Sequence, residues 1–161
     1  MKRFLLDDCD FVTRQKQLVP LPKPKSLTVK GITDRYYKNR EETLEDSKLI
    51  GGYSEVCTGI NEYFNVMLGS QLLYKFERTQ YSDIIKENSK PLCEIYGCEH
   101  LLRLFVKMGS FLSYSCLDEP SMEFVATHIH DFLEFVNKHS EDLFAAEYEN
   151  STPDYQRRTN V

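Results

Sequence analysis

Residues 101–108 read Leu-Leu-Arg-Leu-Phe-Val-Lys-Met, a stretch that is apolar on nearly every side when it is wound into a helix. Phe111 and Leu112 extend the same pattern. A surface helix carries its apolar residues on one stripe, whereas a helix that is apolar all round lies in the interior. The stretch therefore predicts a central helix around which the rest of the chain packs.

Two further stretches have the apolar spacing of amphipathic helices. The first covers residues 54–68 and ends before Gly69, a residue type that favours helix termini. The second has Asp118 as its N-cap and Pro120 near its first position, and it runs to Lys138. The apolar positions of the two helices are Val56, Ile60, Tyr63, Phe64 and Met67, and Met122, Val125, Ile129, Phe132, Leu133 and Val136.

The remaining segments predict shorter elements. Residues 5–17 and 26–43 favour helices, the second weakened by Gly31, and the alternating prolines of residues 20–24 form an extended connector between them. Leu72, Leu73 and Phe76, and then Tyr81, Ile84 and Ile85, indicate two further short elements.

No stretch alternates β-branched and polar residues in the way a sheet demands. We therefore predict an all-α fold, an irregular helical bundle of stacked helical hairpins. It forms a single domain over residues 1–161, with a polar tail from about residue 149.

The composition, with 41% apolar and 28% charged residues in 161, is that of one globular domain. The apolar runs are too short to cross a membrane. After Lys2-Arg3 only Phe4-Leu5-Leu6 is apolar, which is too short for a secretory signal, so we expect an intracellular protein. The five cysteines, an odd number, then favour reduced thiols.

The charge is distributed unevenly along the chain. Residues 1–40 hold ten Lys and Arg against four Asp and Glu, whereas residues 41–161 hold ten against 21. The basic segment leaves nucleic-acid binding open as an alternative function, with Lys23 and Lys25 as phosphate contacts or as solvated loop charges. The acidic body disfavours it, because a nucleic-acid-binding domain usually presents a basic face.

The search for catalytic chemistry is mostly negative, since the chain has no phosphate-binding loop, nucleophile elbow or His-Glu-x-x-His pair. Cys93 and Cys98, near His100, lack the second ligand pair of a zinc site. His128 and His130 point about 200° apart on a helix, and we place His130 near the buried face beside Phe132.

His100 precedes the central helix and could act as a general base, but no nucleophile partners it in the sequence. An enzyme that uses His100 or His130 is thus a third hypothesis. We predict no enzyme, cofactor, metal or small-molecule substrate.

The string Tyr74-Lys75-Phe76-Glu77-Arg78 mixes aromatic residues with opposite charges. It fits a surface turn whose aromatic rings dock inward. It also fits the rim of a groove that receives a partner peptide, in which Tyr supplies contact area and a cation holds a carboxylate or carbonyl.

Several strings make the sequence resemble the MRG domain, the C-terminal domain of the mortality-factor-4-related chromatin proteins. They lie in order from residue 5 to residue 155, so the resemblance covers nearly the whole chain. The strings are Leu5-Leu6-Asp7-Asp8, Thr13-Arg14-Gln15-Lys16-Gln17-Leu18, Gly59-Ile60-Asn61-Glu62-Tyr63-Phe64-Asn65, Leu72-Leu73-Tyr74-Lys75-Phe76-Glu77-Arg78, Tyr96-Gly97, His100-Leu101-Leu102-Arg103-Leu104-Phe105-Val106, Leu117-Asp118-Glu119, His130-Asp131-Phe132-Leu133 and Pro153-Asp154-Tyr155.

The resemblance implies an all-helical, non-enzymatic adaptor that works in the nucleus within histone acetyltransferase and deacetylase complexes. Family members dock partner segments, several with a Phe-x-Leu-Pro motif, in an apolar groove. Carried over by position, the groove residues are Leu5, Leu6 and Tyr74, with Tyr96, His100 and Leu104 as neighbours.

Three positions depart from the family pattern. Cys9 stands where the family typically has Trp, Lys107 replaces an Arg, and Thr79 replaces a Pro. Cys9 removes contact surface from the groove, and Lys107 lacks the planar fork that binds a carboxylate at two points. Both are included among the expected partner-binding residues.

Overall fold

The computed structural model describes residues 1–145 and 147–160, and over these residues the chain is almost entirely helical. The α-helices are α1 (Lys2–Thr13), α2 (Val29–Thr43), α3 (Ser47–Met67), α4 (Arg78–Glu87), α5 (Cys98–Ser113), α6 (Glu119–Lys138), α7 (Ser140–Leu143) and α8 (Pro153–Thr159). One antiparallel pair joins β1 (Gln17–Leu18) to β2 (Glu149–Asn150). The shorter elements are 3₁₀ turns at Lys25–Leu27, Lys75–Glu77 and Leu92–Glu94 and a π turn at Leu68–Leu72. The predicted all-α class is confirmed.

Helix α5 lies at the centre of the main core, as its apolar sequence predicts. Leu101 and Leu104 are almost fully buried, and they belong to one cluster with Phe64 of α3 and Phe132 of α6. Tyr36 of α2 meets the Phe132 ring edge-on at 4.9 Å between centroids. The long helices thus pack on α5 through the apolar faces that their spacing indicated.

Helix caps explain where two of these helices begin. Asp118 accepts a hydrogen bond from the Ser121 backbone N–H at 2.9 Å, as expected for the start of α6. Helix α3 starts at Ser47, seven residues before the predicted start at residue 54. Asp46 caps it by accepting from the Lys48 N–H at 3.0 Å.

The N-terminal helix is displaced from its predicted range of 5–17. It ends at Thr13, and Lys16 adopts φ 58°, the left-handed conformation that turns the chain into β1. Helix α2 begins at Val29 rather than at residue 26, because residues Lys25–Leu27 form a separate 3₁₀ turn.

The C-terminal segment, predicted as a polar tail from about residue 149, is docked on the body. The Tyr155 hydroxyl donates to the Phe76 carbonyl oxygen at 2.6 Å, and Arg158 pairs with Asp83 at 2.8 Å. Tyr155 and Tyr148 pack on a second, smaller cluster formed by Val12, Leu18, Val19 and Phe76.

Among the described residues, no helix has the length and hydropathy needed to span a membrane. All five cysteines are free thiols, with Cys9 and Cys116 exposed and the other three buried.

Candidate functional site

A surface groove of about 350 Å³ opens between α1, α5 and the segment that precedes α4. We call it the α1–α5 groove. Its side chains are mainly apolar, with Val106 of α5 58% exposed at its edge. The lining residues are Leu5, Gln71, Leu72, Leu73, Tyr74, Arg103, Val106 and Lys107.

Four of the eight predicted partner-binding residues lie in or beside this groove, and a fifth, Leu6, is exposed on helix α1. Leu5, Tyr74 and Lys107 line it. Leu6, 65% exposed, and Cys9 lie on the same exposed helix, and the Cys9 thiol lies beside the Tyr74 hydroxyl.

The other three predicted residues do not reach the surface. Tyr96, His100 and Leu104 are at most 1% exposed and lie in the core, so they cannot contact a partner in this conformation. His100 and Leu104 lie on the inward face of α5, and Tyr96 precedes that helix.

Several groove residues were missed by the sequence reasoning. Leu72 and Leu73 directly precede Tyr74, and Val106 directly precedes Lys107, so each lies next to a predicted groove residue in the sequence. Arg103 also lies in a family string, next to Leu104, but a charged residue in an apolar stretch does not reveal which side chains it pairs with.

A cluster of buried charges lies beneath the groove. The Arg103 guanidinium contacts Asp8 at two points, Nε to Oδ2 at 2.8 Å and the terminal nitrogen to Oδ1 at 2.9 Å. Its other terminal nitrogen donates to Glu77 at 2.6 Å and to the Leu72 carbonyl oxygen at 3.0 Å. These fork-like contacts are the strong form of hydrogen bond between charged groups.

His100 completes what we call the ion cluster, formed by Asp8, Glu77, His100 and Arg103, and Tyr148 contacts it from outside. The His100 ring contacts Glu77 through Nε2 at 2.9 Å. Since an ionised carboxylate only accepts hydrogen bonds, Nε2 carries the proton. The Tyr148 hydroxyl donates to Asp8 at 2.6 Å.

The ion cluster fixes the wall of the groove. The Tyr74 backbone N–H donates to Glu77 at 2.9 Å, and the Arg103 guanidinium carbon lies 4.4 Å from the centroid of the Tyr74 ring. A cation over an aromatic face is attracted to it, more strongly where water is excluded. The Tyr74 ring is therefore held in place before any partner arrives.

The cluster favours the ionised form of its carboxylate at Glu77. Burial raises the pKa of Glu77, but the contacts with His100 and Arg103 outweigh burial and lower it from 4.5 to about 2. For Arg103, burial also opposes the charged form and lowers the pKa, but Glu77 and Asp8 outweigh burial and raise the pKa above its usual value. The paired charges thus stay ionised inside the protein.

The Glu77 pKa predicts a loss of stability in acid. Because the folded-state pKa is lowered, the stabilisation is fully present above pH 4.5 and is lost as the pH falls towards about 2. We expect Glu77 to contribute about 3 kcal/mol to this loss. Urea denaturation between pH 6 and pH 2 measures it.

Two variants test that assignment. Glu77→Gln, although less stable at neutral pH, should lose less free energy of unfolding over the acid range than the unsubstituted protein. Glu62→Gln, at an exposed position of α3, should keep the full pH dependence. Equal acid losses in Glu77→Gln and the unsubstituted protein would contradict the prediction.

The family model described as MRG matches residues 1–150. The chain belongs to the MRG family. This confirms the resemblance found in the sequence.

Three relatives show the extent of the match. Human mortality factor 4-like protein 1 is 45% identical to this MRG chain, over 98% of the chain and 44% of that protein. The NuA4 complex subunit EAF3 homolog of Drosophila melanogaster is 47% identical, over 98% of the chain and 37% of that protein. Mouse mortality factor 4-like protein 2 is 44% identical, over 98% of the chain and 55% of that protein. The MRG chain thus spans about half the length of these relatives or less.

The structure places His100 and His130, the two histidines considered for catalysis, in different surroundings. His100 is 1% exposed and faces Glu77, so a substrate cannot reach it. His130 is exposed beside Glu134 at 3.4 Å, which corrects its predicted place on the buried face. It lies two positions from the buried Phe132, about 200° round the helix.

The candidate metal ligands His128 and His130 are also two positions apart on α6, and they point in different directions. His128 turns away from His130 and contacts the Phe124 carbonyl oxygen at 2.8 Å. Cys93 and Cys98 are buried, and within residues 1–145 and 147–160 no three His, Cys, Asp or Glu side chains group as metal ligands.

The basic N-terminal segment of the MRG chain is partly neutralised. Lys30 pairs with Asp34 at 2.6 Å, and Arg40 pairs with Asp131 at 2.7 Å. Lys23 and Lys25 are exposed, and contact with nucleic acid through them stays a prediction.

Proposed function

We propose that this MRG-family chain is a non-enzymatic adaptor that docks partner peptides, such as Phe-x-Leu-Pro segments, in the α1–α5 groove. Its partners are proteins of nuclear histone acetyltransferase and deacetylase complexes. Support for the setting comes from a relative, 47% identical, whose name makes it a NuA4 complex subunit homolog.

The observation that carries the proposal is an open apolar groove at the position of the family's expected binding residues. Leu5 and Tyr74 form part of its walls, with Val106 at its edge. Its volume of about 350 Å³ is within the range of pockets that take small ligands and side chains. Phe and Leu side chains of a peptide would bury their apolar surface there.

Rigidity on both sides favours such a complex. The Tyr74 ring is already fixed by Arg103, so binding orders little of the protein. A proline in the peptide also reduces the conformational freedom that binding removes. At the rim, Lys107 offers one point charge to a carboxylate or carbonyl of the peptide.

Removing the Tyr74 ring tests the groove. We expect Tyr74→Ala to weaken binding of a Phe-x-Leu-Pro peptide by about 30-fold, the effect of losing an interface residue worth roughly 2 kcal/mol. Isothermal titration calorimetry measures the affinity, and circular dichroism checks the fold. Tyr114→Ala is the matched control, because Tyr114 is 89% exposed and lies outside the groove.

A second variant tests the groove without changing Tyr74 or its packing. Val106→Glu places a charge at the exposed edge of the groove and should weaken binding without disturbing the core. Two results would contradict the proposal. The first is that the folded protein shows no binding even at peptide concentrations well above micromolar. The second is that both variants bind the peptide as tightly as the unsubstituted protein.

A further inference from the structure

Two sides of the α1–α5 groove are held by one stretch of chain, the C-terminal segment of residues 147–160. One side is α1, and the other is formed by residues 71–74, which we call the Tyr74 wall. The third side is α5, the helix at the centre of the main core. Of the described residues 147–160, none lines the groove. The segment therefore contacts two walls without occupying the surface that a peptide would cover.

Helix α1 buries little apolar surface of its own. Asp8 and Val12 are its only buried residues, and Phe4 and Leu6 are exposed. Because burial of apolar surface is the main source of stabilisation in a fold, a helix with so little of it is weakly held by packing alone. Its polar contacts with other parts of the chain therefore decide where α1 lies.

The C-terminal segment provides several of these contacts. The Tyr148 hydroxyl donates to Asp8 at 2.6 Å, and the Tyr148 ring lies 5.0 Å from the Phe11 ring between centroids. Beyond the end of α1, β2 pairs with β1, and the Ser151 hydroxyl donates to the Lys16 carbonyl oxygen at 2.6 Å. The segment thus fixes α1 at its middle and at the turn that follows it.

The same segment holds the Tyr74 wall. The Tyr155 hydroxyl donates to the Phe76 carbonyl oxygen at 2.6 Å, and the two rings meet edge-on at 5.2 Å between centroids. Arg158 contacts both carboxylate oxygens of Asp83 on α4 at 2.8 Å. Since Phe76 lies two residues after Tyr74, these contacts fix the turn that follows the wall.

The C-terminal segment can detach without opening the main core. Tyr148 and Tyr155 pack on the smaller cluster that contains Val12 and Phe76. The described members of the main core all come from residues 1–144, and most side chains from residue 149 onwards are exposed. Parts of a protein with few buried apolar contacts open at a lower free energy than the whole fold. Release of this segment is therefore a local event.

We propose that docking of the C-terminal segment sets the affinity of the α1–α5 groove, because it holds α1 in place beside the Tyr74 wall. The inference rests on the proposed function and adds regulation to it. With the segment docked, both walls are positioned before a peptide arrives, and binding orders little of the protein. With the segment released, α1 is held mainly by the pair of Asp8 with Arg103, so binding must also order the helix and is weaker.

A double variant that removes the docking contacts tests the proposal. Tyr155→Ala with Arg158→Ala should release the segment and weaken Phe-x-Leu-Pro binding by about fivefold or more, the size expected for coupling between two sites. Isothermal titration calorimetry measures the affinity. Arg157→Ala is the matched control, because Arg157 is exposed on the same helix and pairs with Asp154 within it. It should bind the peptide as the unsubstituted protein does.

Hydrogen exchange measured by mass spectrometry distinguishes loosening of α1 from general destabilisation. In the double variant, the amides of α1 should exchange faster, whereas those of α5 and α6 should keep their protection because the main core is intact. Faster exchange along the whole chain would show that the contacts only stabilise the fold, which would contradict the proposal.

A second measurement needs no substitution. Coupling between peptide binding and segment docking is reciprocal, so a peptide that prefers the docked form also stabilises it. Saturating the unsubstituted protein with the Phe-x-Leu-Pro peptide should therefore slow hydrogen exchange in residues 147–160, although they do not line the groove. This result decides the proposal even if the double variant does not fold.

Two further results would overturn the proposal. One is a double variant whose released segment leaves the peptide affinity unchanged, and the other is exchange in residues 147–160 that the peptide does not slow. In both cases the peptide still binds, so the groove stands and only the role of the segment is wrong. If the unsubstituted protein does not bind the peptide at all, the proposed function fails, and this proposal fails with it.

Discussion

Replacing Arg103 with methionine should lower the free energy of unfolding by about 3 to 5 kcal/mol. The substitution keeps an unbranched side chain but removes the charge that joins Asp8 and Glu77. Both carboxylates are at most 3% exposed and would remain buried without their common partner. Urea denaturation at pH 7 measures the change, together with the loss of the Tyr74 ring position by near-ultraviolet circular dichroism.

We expect this loss of stability because the ion pairs of Arg103 are buried, and not because an arginine is replaced. Arg157→Met removes an ion pair with Asp154 whose side chains are 78% and 72% exposed, and it should change stability by less than about 1 kcal/mol. A double-mutant cycle of Arg103→Met with Asp8→Asn should show strong coupling, because the second change removes a charge that the first leaves unpaired. A loss below about 1 kcal/mol in Arg103→Met would mean that water reaches the ion cluster.

Gly31→Ala is expected to be the second most damaging substitution, at about 3 kcal/mol. A Cβ on Gly31 would overlap the Lys25 carbonyl oxygen and lie 2.7 Å from the Ser26 Cα. These are backbone atoms, so no side-chain rotation relieves the overlap. The shift would also disturb the Thr28 cap, whose hydroxyl accepts from the Gly31 N–H at 3.1 Å.

Glycines elsewhere in the chain provide the control for this prediction. Gly51→Ala, at a position where a Cβ meets nothing, should raise stability by up to about 1 kcal/mol through helix propensity alone. In thermal and urea denaturation, the midpoint should therefore fall for Gly31→Ala and rise for Gly51→Ala. If Gly31→Ala is as stable as the unsubstituted protein, the turn at Lys25–Leu27 is free to move away.

Helices with strong periodicity and explicit caps were predictable from the sequence. The start of α6 at Asp118 and Pro120 and the central place of α5 follow from local chemistry. The first two turns of α3 were missed because Gly51 and Gly52 interrupt the apolar pattern there. Their helical state depends on the Asp46 cap and on tertiary packing, which outweigh weak local propensity.

The candidate site was predictable only where the family strings reached it. Leu5 and Tyr74 were placed by those strings, but the strings do not distinguish a residue that faces the groove from one that faces the core. Hence His100 and Leu104 were assigned to the surface, although they are buried. Arg103 finds its partner Asp8 across 95 residues, a pairing that no local pattern encodes.

The hydrogen bond from Tyr148 to Asp8 joins residues 140 positions apart. A ribosome must therefore synthesise the chain through Tyr148 before Asp8 acquires this partner. On a shorter nascent chain, α1 lacks this contact and the antiparallel pairing of β1 with β2 that follows it. Since long-range contacts form only after the intervening chain is available, α1 acquires these contacts only after β2 has been synthesised. Partner docking at α1 is thus expected to follow the synthesis of residues 148–150.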